Sequence, residues 1–238
     1  MSGEKKLTVI GHLEELRARL IKSALAVAVT TVASFFLTGY IFDFLKSRAE
    51  GVDLIYTRVP EMLGTYFKVS IYAGLALAMP YLVYHVVMFI SPALTRKEKR
   101  YLYTLLPAIF SAFIAGIVFG YFVLLPPALR FLLTFGGDIA RPLITVGNYV
   151  SVITTLLFWL GVCFETPIII YFLSVIRVVN PRWLARNRRY AVVLAFALGA
   201  VITPTFDPVN QTLVALPVYF LFELGVLLSK LAWRGKSY

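Results

Sequence analysis

Three acidic side chains in this sequence stand out against their surroundings, two among cations and one in an apolar run. Glu15, with Glu14 beside it, lies in GHLEELRARL (11–20), and Glu98 lies in SPALTRKEKR (91–100) among Arg96, Lys97, Lys99 and Arg100. The chain carries 23 Lys and Arg against 12 Asp and Glu, a formal net charge of +11. An acid kept in such surroundings either relieves local repulsion or recognises a cationic ligand. Carboxylates bind guanidinium with a directional strength that ammonium cannot match, and weak screening at an interface strengthens the pair. The third acid, Glu165 in LGVCFETPIII, is the only charge between Arg141 and Arg177. An acid at membrane depth is expensive and by default functional, and Pro167 two residues on frees backbone groups beside it. Its plainer reading is a structural hydrogen bond to another helix. Other chemistry is poorly supplied. His12 and His85 are the only histidines and Cys163 the only cysteine, so histidine-pair or zinc chemistry is poorly supplied and one cysteine makes no intrachain disulfide. GxSxG, HExxH, GxxxxGK[ST] and GxGxxG are all missing. The expectation is a protein that is not an enzyme and holds no metal or cofactor.

The elements that must position these acids are membrane spans. Of 238 residues 60% are hydrophobic, with a mean hydropathy of +0.82, and several uncharged runs reach the roughly 20 residues a crossing needs. The spans fall at about 23–42, 69–90, 101–129, 150–175, 190–205 and 211–231, preceded by an amphipathic stretch over 1–21. Together they read as one membrane domain, 1–238. The third run exceeds one crossing and is expected to bend or stop at Pro126 and Pro127. The fifth is short, and TPTFDPVNQT (203–212) turns it tightly into the sixth. Basic residues test the topology. Five fall within 5–22, four within 96–100, five within 177–189 and three within 230–236, leaving six of the 23 for the other face. The positive-inside rule therefore gives six spans with both termini inside. On the outer face those six cations meet Asp43, Glu50, Asp53, Glu61, Asp138 and Asp207, and no single residue there stands out. The basic balance is topological. The arginines are spread over short loops, so nucleic acid is not an expected partner. The charged N-terminus lacks an apolar core with a cleavage site and reads as mature cytoplasmic sequence.

Taken as a helix, the opening stretch gathers Ile10, Leu13, Leu16 and Leu20 on one arc, which suits a helix lying on the membrane surface. Arg17 falls on that arc and Glu15 opposite it, toward water. The spacing alone allows Glu14–Arg17 and Glu15–Arg19 helix pairs, so a structural reading of Glu15 stays open, as does a solvated Glu98. Asp207 and Gln211, four apart, suit a cap or brace at the start of the sixth helix. Glu223 lies toward the inner end of that helix.

Together HLEELRARL (12–20), FISPALTRKEKR (89–100), FETP (164–167) and TPTFDPVNQT (203–212) resemble the TatC family, the multi-span subunit of the twin-arginine protein translocase, in order, spacing and topology across essentially the whole chain. The resemblance implies an all-α, concave, glove-like bundle of six helices, the last two short. It implies a receptor for signal peptides bearing two consecutive arginines, acting in a prokaryotic cytoplasmic membrane. Assembly with single-span subunits of the TatA and TatB type into an oligomeric complex follows from it, with cargo export driven by the proton-motive force. Carried over, Glu15 and Glu98 engage the arginine pair, Arg17 is the first motif's arginine, and Phe89 and Pro92 shape the recognition loop. Glu165, with Asp207 and Gln211, would face the partner subunits. Lys99 departs from the family's usual arginine, and Glu14 is an extra acid. The rival reading is a proton-coupled secondary transporter that uses Glu165. It explains neither Glu15 nor Glu98.

Overall fold

The structure is a computed structural model that describes residues 9–47, 54–90, 94–134, 143–203 and 207–234. Helix α1 (Val9–Lys46) leads into α2 (Val59–Ile90), then α3 (Arg96–Phe119). A π-helical turn, Gly120–Leu124, joins α3 to α4 (Leu125–Thr134). Next come α5 (Val146–Phe164), α6 (Thr166–Val175), the short α7 (Pro181–Arg186), α8 (Arg188–Ile202) and α9 (Pro208–Arg234). In membrane terms α3 and α4 form one span, α5 and α6 another, and α8 is the fifth at 15 residues. The sixth, α9, runs 27 residues and so extends beyond the expected 211–231 at both ends.

Two expectations change. The amphipathic stretch is not a separate surface helix, because α1 is continuous for 38 residues. That is about 57 Å, nearly twice the hydrocarbon thickness of a bilayer, so α1 carries Glu15 on an extension of the span itself. Pro126 and Pro127 do not stop the third span. They sit in the first turn of α4, just after the π turn, in which Leu125 N–H reaches back to the Gly120 carbonyl. The wider turn precedes the prolines, and their missing donors fall where a new helical segment begins.

The helices meet through small and hydroxyl side chains, as membrane helices do where lipid offers no hydrophobic contrast. Thr30 Oγ1 donates to the Gly74 carbonyl at 2.8 Å and Thr38 meets Ser70 at 2.7 Å, joining α1 to α2. A Cβ on Gly74 would lie 2.6 Å from Thr31 Cα, so only glycine permits this approach. Likewise a Cβ on Gly116 would stand 2.7 Å from the Leu160 carbonyl oxygen, where α3 crosses α5. Ser174 and Ser229, 2.6 Å apart, join α6 to α9. Around these seams Leu125, Ile153, Leu160, Ile202, Val214 and Leu221 form the main core. Helix α1 packs along α2 and only grazes α5.

The outer end is cross-linked by groups far apart in sequence. Ile55 and Thr145 pair as an isolated parallel bridge, with Ile55 N–H donating to Ile144 O at 3.1 Å and Val146 N–H to Ile55 O at 2.8 Å. Glu61, on the first turn of α2, accepts from Thr57 N–H at 2.9 Å and from Gly147 N–H at 3.1 Å. Helix N-termini favour such an anion, and here one carboxylate serves the starts of α2 and α5. Tyr149 Oη donates to the Leu45 carbonyl at 3.1 Å, fastening the end of α1.

Candidate functional site

At the inner end Glu15 is the hub of a contiguous set of side chains. Arg19, one turn along α1, donates to Glu15 Oε1 through Nε at 2.9 Å and also through Nη2. His12 Nδ1 lies 3.6 Å from Glu15 Oε2. The His12 ring stacks on Phe89, in the last turn of α2, with centroids 4.3 Å apart and planes 10° off parallel. The structure thus brings Glu15 and Phe89 together through His12. Glu15 points less freely into water than the helical wheel implies, since its side chain is only 23% exposed and Arg19's 19%. Among the described residues Glu14 and Arg17 form no ion pair. Arg17 is exposed, and the apolar arc around it is open too, with Ile10, Leu13 and Leu20 each exposed.

Glu98 lies in the first turn of α3, and its position is explained by a capping box. Thr95 N–H and Thr95 Oγ1 each donate to Glu98 Oε2 at 2.8 Å, while Glu98 N–H donates to Thr95 Oγ1 at 3.4 Å. A Thr-x-x-Glu sequence before an apolar run is the signature of this device. It aims the carboxylate at the connection from α2. Pro92, within that connection, lies outside the described residues.

Glu165 occupies the break between α5 and α6. Its backbone carbonyl accepts from Ile168 and Ile169 N–H at 3.0 Å each, so the residue starts α6 while its side chain is buried at 7% exposure. Oε1 has no hydrogen-bond partner among the described residues. An acid so placed calls for a donor. Asp207 and Gln211 serve the hairpin between α8 and α9. Asp207 accepts from Asn210 N–H at 2.6 Å and from Asn210 Nδ2 at 3.0 Å, and Gln211 Nε2 donates to the Phe196 carbonyl at 2.9 Å. The cap therefore acts on Asn210, and the brace from Gln211 reaches α8. Glu223 is held by Arg188 Nε at 2.8 Å, Arg188 Nη2 at 2.8 Å and Tyr219 Oη at 2.9 Å.

His12 and Arg19 are the site residues that the sequence alone left unassigned. Arg19 was visible as an i,i+4 partner. His12 was visible only as a ring three residues before Glu15, and nothing local announced a partner 77 positions away.

The class is clear from these features: a helical membrane protein with six crossings, with Glu15 paired to Arg19 and Glu98 capping a helix at its inner end. The profile of the family described as Sec-independent protein translocase protein (TatC) matches residues 11–217. Similar chains include Sec-independent protein translocase protein TatC of Carboxydothermus hydrogenoformans, 34% identical over 229 residues that cover 95% of this chain and 94% of that one. That of Aquifex aeolicus is 38% identical over 232 residues, covering 95% and 96%. A crystal structure described as the twin arginine translocase receptor TatC superposes with a TM-score of 0.85 at 38% identity, covering 94% of this chain and 100% of that one. The chain belongs to the TatC family and is a membrane-embedded component of protein transport. That membership leaves the transporter reading of Glu165 without support.

Proposed function

We propose that this protein is the receptor subunit that captures arginine-pair signal peptides of folded cargo at the inner face of a prokaryotic cytoplasmic membrane. One observation carries the reading: Glu15 already binds a guanidinium, that of Arg19, through two donors. That pairing supports a site that accepts the group a twin-arginine peptide presents. An incoming arginine exchanges with Arg19 on Glu15, and its neighbour engages Glu98. Phe89 and Arg17 line the approach. The apolar part of the peptide then enters the membrane beside the spans. Glu165 marks the break between α5 and α6 as the docking region for a single-span subunit of the TatA or TatB type, with the α8–α9 hairpin held ready by Asp207 and Gln211. The protein binds and assembles and catalyses no reaction, and the proton-motive force supplies the work. Photo-crosslinking tests this. Probes at positions 15 and 98 are expected to capture a twin-arginine peptide, and Glu15→Ala with Glu98→Ala to abolish binding while insertion persists. Undiminished binding in that double variant would falsify the receptor role of the two acids.

A further inference from the structure

A cleft of about 890 Å³ opens at the inner end between α7 and the last two turns of α9, far along the chain from Glu15 and Glu98. Asn180, Arg182, Leu227, Lys230, Leu231 and Trp233 are among its walls. We propose that this cleft binds the phosphate headgroup of an anionic lipid from the surrounding inner leaflet.

The charge is of one sign. None of the wall residues is acidic, and among the described residues neither Arg182 nor Lys230 has an ion-pair partner. The acid of α9, Glu223, is already occupied by Arg188 and Tyr219, so it does not neutralise the cleft. A third cation stands beside it. Arg177 adopts a left-handed backbone (φ 63°), a conformation that disfavours any side chain. The Val178 N–H bonded back to Leu173 O at 3.0 Å closes the end of α6 around that residue. The turn carries the Arg177 guanidinium over the Trp233 ring at 4.2 Å, on the cleft wall. The turn is a Schellman cap, with Arg177 N–H also bonded to Ser174 O at 3.2 Å, and this cap fixes where the cation stands beside the cleft.

The apolar walls show why the ligand is a lipid and not a free anion. Leu227 and Leu231, four apart on α9, are both exposed and continue the cleft down the helix toward the bilayer, where acyl chains lie. The depth is right as well. Of three tryptophans, Trp183 is exposed on α7 and Trp233 lies in the cleft wall, and tryptophans gather at membrane–water interfaces. Basic pockets between spans on the inner side are suited to anionic headgroups.

The test uses the full chain in nanodiscs of equimolar phosphatidylglycerol and phosphatidylcholine, released into mild detergent and weighed by native mass spectrometry. Phosphatidylglycerol is expected to stay bound in preference. Arg182→Gln with Lys230→Gln should lower that preference by roughly twenty-five-fold, about five-fold for each cation removed. The charge-conserving pair Arg182→Lys with Lys230→Arg should keep it. As an independent readout, a chain with Trp159→Phe and Trp183→Phe should show Trp233 fluorescence quenched more by acyl-brominated phosphatidylglycerol than by brominated phosphatidylcholine. Equal retention of the two lipids, or a preference that survives the double glutamine change, overturns the proposal. Displacement of the lipid by millimolar inorganic phosphate overturns it too, in favour of a plain anion site.

Discussion

If Arg19 occupies the place a peptide arginine must take, removing it should tighten binding. The perturbation is Arg19→Gln, which keeps length and helix propensity but withdraws the charge. Both side chains of the pair are about one-fifth exposed, so the bond lies between an open helix pair, about 0.3–0.5 kcal/mol, and a stronger partly desolvated one, about 1 kcal/mol. Displacing it costs a peptide that amount. Its removal should therefore lower Kd by roughly two- to five-fold. The assay is a titration of a fluorescent arginine-pair peptide into purified protein in nanodiscs. A double-mutant cycle isolates the effect: in a Glu15→Gln background, Arg19→Gln should change nothing, because no carboxylate is left to release. Glu15→Gln alone should weaken binding about ten-fold or more, the scale of a charge-assisted hydrogen bond. Weaker or unchanged peptide binding by Arg19→Gln would refute competition and make Arg19 a ligand contact or a bystander.

Other outcomes follow from the same geometry. Thr95→Ala removes the capping box and should cost about 1 kcal/mol at the start of α3, seen as faster amide exchange over 96–100 while the remaining spans stay protected. Gly116→Val drives a side chain into the Leu160 carbonyl and should destabilise the α3–α5 crossing by about 1–3 kcal/mol or more, read as a lower melting temperature in detergent. Glu165→Ala should leave peptide affinity unchanged but reduce co-purification of single-span partner subunits, and loss of peptide binding there would move Glu165 into the receptor itself. Glu223→Gln should loosen the α8–α9 pairing by about 1 kcal/mol, and exchanging the two charges with Arg188→Glu and Glu223→Arg should restore part of it.

Much of the frame was legible because a bilayer writes itself into composition. The charge-free run from Tyr101 to Leu129 could only be a span, and the sign asymmetry of the loops gave its direction. The Glu15–Arg19 pair was legible for a different reason, since four residues on a helix is a fixed distance. What escaped depends on chain-distant meetings. Glu61 holds Gly147 across 86 positions, and no local pattern marks an acid near the start of one helix as the clamp for another. The stacking of His12 on Phe89 escaped likewise. Pro126 and Pro127 misled in an instructive way. A proline inside a helix normally ends it, but the π turn lies just upstream, and π turns have no sequence signature comparable to a glycine cap. Glu98 was legible as an acid with a role but not as a helix cap, although Thr95 stood three residues before it.

The π turn from Gly120 to Leu124 also gives the third span a tolerance of length that composition cannot show. A π turn closes with one residue more than an α turn, so deleting Val123 would convert it to ordinary helix and leave α4 on nearly its present face. Leu125 and Leu129, buried at 0% and 7% exposure, would stay in the core. The same deletion in the regular turns of α9 has no spare residue to absorb it, and would rotate everything beyond it by about 100°, swinging buried residues such as Leu221 and Val226 away from their partners.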